Sequence, residues 1–134
     1  MTPITLFSLQ THTGDYQKWP LKTLLLKNAT PTQAHLPGYQ ILHQFQLNSG
    51  EYLLITDWDC PFEEATEMLL LSAELALIAR HSFSVPYGSF NLEALQVIDD
   101  ANLTLTFYQN DCKQVTITTE KTWLLGSRIK VTQI

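Results

Sequence analysis

The sequence contains few of the residues on which recognisable catalytic and cofactor motifs depend. Its 134 residues include only two cysteines, Cys60 and Cys112, and five glycines. The cysteines lie too far apart for the Cys-x-x-Cys spacing of metal and redox sites, and two of them cannot form a secreted framework of several disulfides. The glycines form neither a phosphate-binding loop nor a dinucleotide fingerprint. We therefore predict no cofactor and no metal.

Long hydrophobic runs are also lacking. The most apolar stretch, residues 68–79, is interrupted by Ser72 and Glu74 and is shorter than the roughly 20 residues needed to cross a bilayer. Residues 1–10 carry neither a basic segment nor the small-residue cleavage pattern of a secretory signal. We expect a soluble cytoplasmic protein with no membrane partner.

Basic residues are scarce in the middle of the chain. No lysine or arginine occurs from residue 28 to residue 79, and residues 51–100 carry ten carboxylates against Arg80 alone, a formal charge of −9. The whole chain carries −5, so both flanking segments are positive. Phosphate binding needs a basic face, which disfavours nucleic acid as a partner and favours a cationic one.

The rest of the composition fits one folded globular domain spanning residues 1–134. Hydrophobic residues make up 45% of the chain and aromatic residues 10%, which provides enough apolar surface for a core at this length. No repeat, low-complexity tract or Gly/Ser linker divides the sequence.

Alternating apolar and polar residues predict antiparallel strands. Residues 39–47 have the two-residue period of a half-buried strand, residues 48–50 are turn formers, and residues 51–56 resume an apolar run. This pattern predicts a β-hairpin. A second hairpin is predicted from residues 103–108 and 115–119, whose threonines are expected on the outer face because branched side chains favour pleated structure.

Further strands are predicted near both ends and in the last third of the chain, at residues 4–9, 90–98 and 129–134. Residues 21–27 are a weaker strand candidate. Residues 28–38 hold two prolines and show no periodicity, so we interpret them as a loop. Turn signals every eight to twelve residues are typical of an all-β sandwich or barrel.

Residues 61–80 are ambiguous between a helix and two strands. Their alanine, leucine, methionine and glutamate content favours a helix by propensity, and such a helix would make the fold α+β. It would, however, be apolar all round, with residues 68–71 forming four apolar positions in a row. We favour two strands joined by a turn at residues 72–74. The predicted fold is mainly β, a single antiparallel sandwich or half-open barrel.

The most distinctive segment begins where a strand is predicted to end, at Asp57, and continues to Glu67. It holds five carboxylates and two aromatic side chains. The aromatic side chains could anchor a partner while the carboxylates steer a basic protein toward them. The predicted binding residues are Asp57, Trp58, Asp59, Phe62, Glu63, Glu64 and Glu67.

Catalytic alternatives use the same carboxylates. On one strand face Asp57 and Asp59 would stand roughly 7 Å apart, close enough to share Ca²⁺ or Mg²⁺. A carboxylate pair acting on a glycoside would instead need two groups about 5 to 10 Å apart across a cleft. The alternative function is therefore a small metal-dependent or carboxylate-using hydrolase centred on Asp57, Asp59 and Glu63.

Nucleophilic and histidine chemistry receives less support. The acidic neighbours of Cys60 would raise the pKa of its thiol and so oppose formation of the reactive thiolate. His43 and His81 lie on apolar strand faces, where we interpret them as hydrogen-bonded core histidines.

The leading hypothesis is a non-catalytic protein-binding module whose acidic docking edge binds a basic protein, as inhibitors and toxin-neutralising immunity proteins do; this is an analogy of class alone. A third hypothesis is a structural subunit that oligomerises through open sheet edges. The docking hypothesis requires the central carboxylates to remain unpaired at the surface after folding.

Overall fold

A computed structural model of the chain describes residues 1–58, 65–84, 91–118 and 127–134. Within these residues almost all regular structure is β, apart from single 3₁₀ turns at Tyr16–Lys18 and Tyr108–Asn110. The strands are β1 (Thr2–Pro3), β2 (Phe7–Leu9), β3 (Thr23–Lys27), β4 (Thr30–Leu36), β5 (Gln40–Gln46), β6 (Tyr52–Asp57), β7 (Thr66–Leu71), β8 (Leu77–Phe83), β9 (Leu92–Val97), β10 (Asn102–Phe107), β11 (Asp111–Ile117) and β12 (Ile129–Gln133).

The strands form three antiparallel sheets. A five-stranded sheet has the order β1-β5-β6-β7-β8, a four-stranded sheet the order β12-β11-β10-β9, and a three-stranded sheet the order β2-β3-β4. The predicted mainly β fold is confirmed, in its sandwich form. No helix in the described part of the chain is long and apolar enough to cross a membrane.

The five-stranded sheet is the middle layer and packs an outer sheet on each face. Leu53 and Leu70 belong to a core shared with the four-stranded sheet. Leu54 and Leu69 belong to a second core shared with the three-stranded sheet. Side chains alternate between the faces of a strand, so a strand covered on both faces is apolar at consecutive positions, and burying each such leucine stabilises the fold by about 2 kcal/mol.

This double burial resolves the ambiguity over residues 61–80. The four consecutive apolar residues 68–71 lie in β7 and are fully buried. Strand β8 follows after a turn in which Ser72 accepts a hydrogen bond from the N–H of Leu75. For the described residues 65–80 the strand prediction is confirmed and the helical alternative is wrong.

Both predicted hairpins are confirmed. Strands β5 and β6 pair in antiparallel fashion from Gln46↔Tyr52 to Gln40↔Asp57, and β10 pairs with β11. Leu103, Leu105 and Phe107 point inward and are fully buried, while the threonines between them are only half-buried. The strands predicted at residues 90–98 and 129–134 are present as β9 and β12.

The loop prediction for residues 28–38 is wrong, because most of this segment is β4. Asn28 and Ala29 have φ values of 50° and 62° and form the two-residue turn that joins β3 to β4, a backbone typical of tight hairpins. Pro31 faces Leu26 of β3. Strand β4 lies at the edge of its sheet, where a proline can be accommodated without interrupting a ladder between two neighbours.

Of the strand predicted at residues 4–9, only Phe7–Leu9 forms a strand, β2, and the separate strand β1 precedes it at Thr2–Pro3. Strand β1 pairs with β5 of the middle sheet, whereas β2 pairs with β3 of the three-stranded sheet. The side chain of Gln44 on β5 connects the middle sheet to the start of β2, because its Oε1 accepts the N–H groups of Leu6 and Phe7 and its Nε2 donates to the carbonyl of Phe7. The chain thus passes from one layer to the next within six residues.

Candidate functional site

Two of the predicted binding residues lie at the end of β6. Asp57 is half-buried, and the ring of Trp58 packs edge-on against Tyr39 with 5.1 Å between centroids. Only 8% of Trp58 is exposed, so the expectation of an exposed anchor is wrong for this residue. The other binding candidates Asp59, Phe62, Glu63 and Glu64 lie outside the described residues, as does Cys60.

Glu67 is neither exposed nor unpaired. It lies on β7 with 3% of its surface accessible, and Arg80 of β8 donates from Nε and Nη2 to its two carboxylate oxygens, each at 3.0 Å. The hydroxyl of Ser82 also donates to it. Including Glu67 in an exposed docking edge was therefore wrong, because strand pairing places it opposite Ser82 and diagonally across from Arg80.

A second internal ion pair joins Glu51 to Arg128, residues that lie 77 positions apart. Both Arg128 Nη atoms donate to the carboxylate, with 2.8 Å from Nη2 to Oε1, and Arg128 Nε donates to the carbonyl of Thr118 at 2.6 Å. The hydrogen bond from Arg128 is the main reason that the pKa of Glu51 is lowered. The pair connects the β5–β6 turn to the start of β12.

Two further carboxylates, both located in the turn before β10, also have partners in the folded chain. Asp99 accepts the N–H groups of Ala101 and Asn102, and these bonds lower its pKa. Asp100 pairs with the N-terminal amine at 2.9 Å, which lowers the pKa of Asp100. Much of the acidic charge of residues 51–100 therefore serves the fold, in contrast to the unpaired surface that the sequence predicted.

A cluster of aromatic rings at the surface is the most distinctive group in the described residues. We call His12, Tyr16, Trp19 and Tyr39 the aromatic surface; all four are half-buried. The Tyr39 centroid lies 5.3 Å from His12, 5.7 Å from Tyr16 and 5.2 Å from Trp19, in edge-to-face contacts. Trp19 also contacts His12 at 5.4 Å and Tyr16 at 5.2 Å, and Trp58 lies beneath.

The loop between β2 and β3 holds three of these rings in place. The 3₁₀ turn begins after Asp15 and ends when Trp19 N–H donates to the carbonyl of Tyr16. The Trp19 indole N–H donates to the carbonyl of Thr13 at 3.2 Å, and the Tyr39 hydroxyl donates to the carbonyl of Pro20 at 2.7 Å. Hydrogen bonds thus fix Trp19 and Tyr39 in addition to the edge-to-face and tilted contacts between the rings, which preorganises the surface.

Hydrogen bonding determines the tautomer of neutral His12. The hydroxyl of buried Thr23 has one proton, which it donates to the carbonyl of Gly38 at 2.7 Å. The 3.0 Å contact between Thr23 Oγ1 and His12 Nε2 therefore has His12 as the donor. This leaves Nδ1 of His12 as a hydrogen-bond acceptor, and no group in the described chain donates to it.

Sequence reasoning did not find the aromatic surface. Residues 12–19 contain His12, Tyr16 and Trp19, with Gly14 among them and Pro20 directly after them, and this density of rings in a turn-rich segment was the available signal. The segment 12–19 has no periodicity. Tyr39 is distant from it in the sequence, and the β3–β4 hairpin brings Tyr39 back to the same end of the protein.

Other chemistry has less support in the described residues. No three His, Cys, Asp or Glu side chains there are grouped to hold a metal ion. Of the hydrolase candidates Asp57, Asp59 and Glu63, only Asp57 belongs to the described chain, so that alternative stays a prediction. The thiol of Cys112 is free and lies 3.7 Å from Thr106 Oγ1.

His43 and His81 face the four-stranded sheet. They lie opposite Ile55 and Met68 in the register of the middle sheet, and their rings lie beside Phe45 and Phe83. The ring nitrogens of both histidines have no hydrogen-bond partner among the described residues, so the predicted hydrogen bonding is wrong, and both residues are only half-buried at the edge of the core. Burial lowers the pKa of both histidines.

These lowered pKa values predict a pH-dependent stability. A histidine that stays neutral when folded but is protonated when unfolded stabilises the fold fully above pH 6.5, and this contribution is lost as pH falls toward the folded pKa. The free energy of unfolding should fall below pH 6.5, by up to about 1.4 kcal/mol per pH unit for each histidine. Urea titrations from pH 8 to pH 5 test this. His43→Gln with His81→Gln should flatten the slope, and an unchanged slope would contradict it.

The chain matches no protein-family model, no curated protein and no solved structure. Its function has to be inferred from these residues alone.

Proposed function

We propose that this chain is a non-catalytic protein-binding module whose contact surface is the aromatic surface and whose partner is a basic protein. The observation that carries the proposal is the group of four half-buried rings, His12, Tyr16, Trp19 and Tyr39, held in contact with one another at the protein surface. Tryptophan and tyrosine dominate the binding energy of protein interfaces, and they supply large contact areas at low entropic cost.

The surroundings of the rings support a protein partner. Leu21, two residues after Trp19, is 76% exposed, so the loop that carries three of the rings also carries exposed apolar area. Exposed apolar area next to aromatic anchors is typical of protein interaction sites. The hydrogen bonds of Trp19 and Tyr39 to backbone carbonyls reduce the ordering that a partner would have to impose.

Charge supports a basic partner. Trp58 joins the aromatic surface to Asp57, and in the sequence Asp59, Glu63 and Glu64 follow directly. The chain as a whole carries −5. Opposite charge raises the rate of encounter and favours correct partners. Binding of the inhibitor or immunity type, a partner other than nucleic acid and a cytoplasmic location are parts of this proposal.

The test is affinity capture with matched baits. The wild-type chain, Trp19→Ala and Tyr108→Ala are each immobilised and exposed at low salt to lysate of the source cells, and captured proteins are quantified by mass spectrometry. Tyr108 is the control because it is 53% exposed but lies in the turn between β10 and β11 of the four-stranded sheet. A hot-spot residue contributes about 2 kcal/mol, so Trp19→Ala should reduce recovery of a basic protein by about 30-fold, with no change for Tyr108→Ala.

Salt provides the second readout. Capture should weaken above roughly 0.3 M salt, where the screening length is below about 6 Å. Thermal unfolding of each bait shows whether it is folded. Equal recovery by all three folded baits, or recovery of acidic proteins alone, would remove the proposal.

A further inference from the structure

We propose that the aromatic surface recognises an arginine side chain of the partner, whose guanidinium stacks on the solvent-accessible part of the rings and donates a hydrogen bond to Nδ1 of His12. This inference rests on the proposed function and specifies the group that the surface binds.

The first step is the acceptor on His12. Its Nε2 donates to Thr23, because the Thr23 proton is used by the carbonyl of Gly38. Neutral His12 therefore offers a ligand only the lone pair of Nδ1, which accepts hydrogen bonds and donates none. A carboxylate, phosphate or carbonyl group cannot use this nitrogen. A guanidinium, with five N–H donors and no acceptor, can.

The second step is the ring surface beside that acceptor. Trp19 lies 5.4 Å from the His12 ring, and its indole N–H is occupied by the carbonyl of Thr13. What Trp19 has left to offer a ligand is its π-face. A planar guanidinium stacks on such faces and is attracted by their negative quadrupole, and it does so more often than a lysine ammonium.

The third step is charge. Asp15 directly precedes Tyr16 and is exposed, and within the described chain its carboxylate has neither an ion pair nor a hydrogen bond. It can balance the charge of a guanidinium on the neighbouring rings. Lys18 and Lys22 are exposed in the same loop and act against a cation. Removing the negative charge of Asp15 should therefore weaken binding of a guanidinium, whereas removing the positive charge of Lys18 should strengthen it.

The probe is a blocked Gly-Arg-Gly peptide, and the control is the same peptide with citrulline, the neutral isostere of arginine. Each is titrated into the full chain while the amide resonances of residues 12–19 and the tryptophan indole resonances are followed by NMR. We expect saturable shifts with the arginine peptide and an affinity about two- to fivefold lower with the citrulline peptide, since a cation–π contact at an exposed site is of that size.

Four variants test the individual contacts. Asp15→Asn should weaken binding of the arginine peptide, whereas Lys18→Gln should strengthen it, each by about threefold at low salt. His12→Phe keeps an aromatic ring but removes the acceptor and should weaken binding. Tyr108→Ala should have no effect. Melting temperatures identify any variant that fails to fold, and the Asp15 and Lys18 variants keep the test decisive because both positions are exposed.

Three outcomes would overturn the inference: no shift at about 10 mM arginine peptide, equal affinity for the two peptides, or weaker binding by Lys18→Gln. Capture of a basic protein that depends on Trp19, without any arginine binding, would leave the proposed function standing and remove only this inference. Arginine binding without such capture would contradict the proposed function but would support arginine as the group that the aromatic surface recognises.

Discussion

Replacing Arg80 with alanine is expected to destabilise the fold by about 3 to 5 kcal/mol, because it leaves the carboxylate of Glu67 buried without its partner. The side chain of Glu67 is 4% exposed, and two of its hydrogen bonds come from Arg80. Among the described residues, only the Ser82 hydroxyl would still donate to this carboxylate. Urea unfolding at pH 7, followed by tryptophan fluorescence, measures the loss as a lower midpoint at an unchanged slope.

A double-mutant cycle with Glu67→Gln separates the pair from the packing of Arg80. The double variant has no buried charge, so it should be more stable than Arg80→Ala alone, and the difference gives the coupling between the two side chains. Arg80 itself is 44% exposed, so Glu67→Gln leaves its guanidinium in contact with water and should cost less. Additive effects of the two substitutions would show that the pair contributes nothing beyond packing.

The same pair shows why the charge pattern of the sequence was misleading. Residues 28–79 contain neither lysine nor arginine, yet Glu67 is paired with Arg80, the first residue after this range, because the β7–β8 turn brings Arg80 back beside it. Glu51 pairs with Arg128 from the other end of the chain. A count of charges along a sequence measures neither contact, because both depend on strand pairing.

Elements specified by short-range patterns were predictable. The hairpins β5–β6 and β10–β11 follow from period-two alternation and turn residues within about 18 positions. Strand β7 was also recoverable, because four apolar residues in a row suit a strand buried on both faces. The reason for this double burial, a third sheet, was not visible in the sequence, since of its strands β3 was identified only weakly and β4 was interpreted as a loop.

Strand β4 and the aromatic surface were missed for related reasons. The β3–β4 turn uses Asn28 and Ala29 in place of the glycine-containing pairs that usually mark tight hairpins, and Pro31 is a loop signal unless the strand is known to be an edge. Without that hairpin, nothing in the sequence brings Tyr39 to Trp19. A cluster assembled from non-periodic segments leaves only its composition as a signal.

Replacing Gly38 with alanine should be the second most damaging of the substitutions considered, costing about 3 kcal/mol. Gly38 has φ of +109°, which is strained for any residue with a Cβ. A Cβ there would lie 2.4 Å from Thr56 Oγ1 and 2.7 Å from Thr56 Cβ. Thr56 is fully buried and donates to the carbonyl of Pro37, so it cannot turn away without losing that bond. Overpacking of this kind costs about 1 to 3 kcal/mol beyond the backbone strain.

The chain provides a matched control for the strain. Gly50 has φ of +90°, and a Cβ added there meets nothing within 4 Å, so Gly50→Ala should cost only the backbone term of about 1 kcal/mol. The difference between the two variants isolates the contact with Thr56. Because Gly38 precedes Tyr39 and its carbonyl holds the Thr23 hydroxyl that fixes His12, Gly38→Ala should also broaden the resonances of the aromatic surface. Equal destabilisation by Gly38→Ala and Gly50→Ala would mean that the strand shifts at Thr56 to accommodate the added Cβ. The close approach of Gly38 to Thr56 would then not stabilise this end of the sheet.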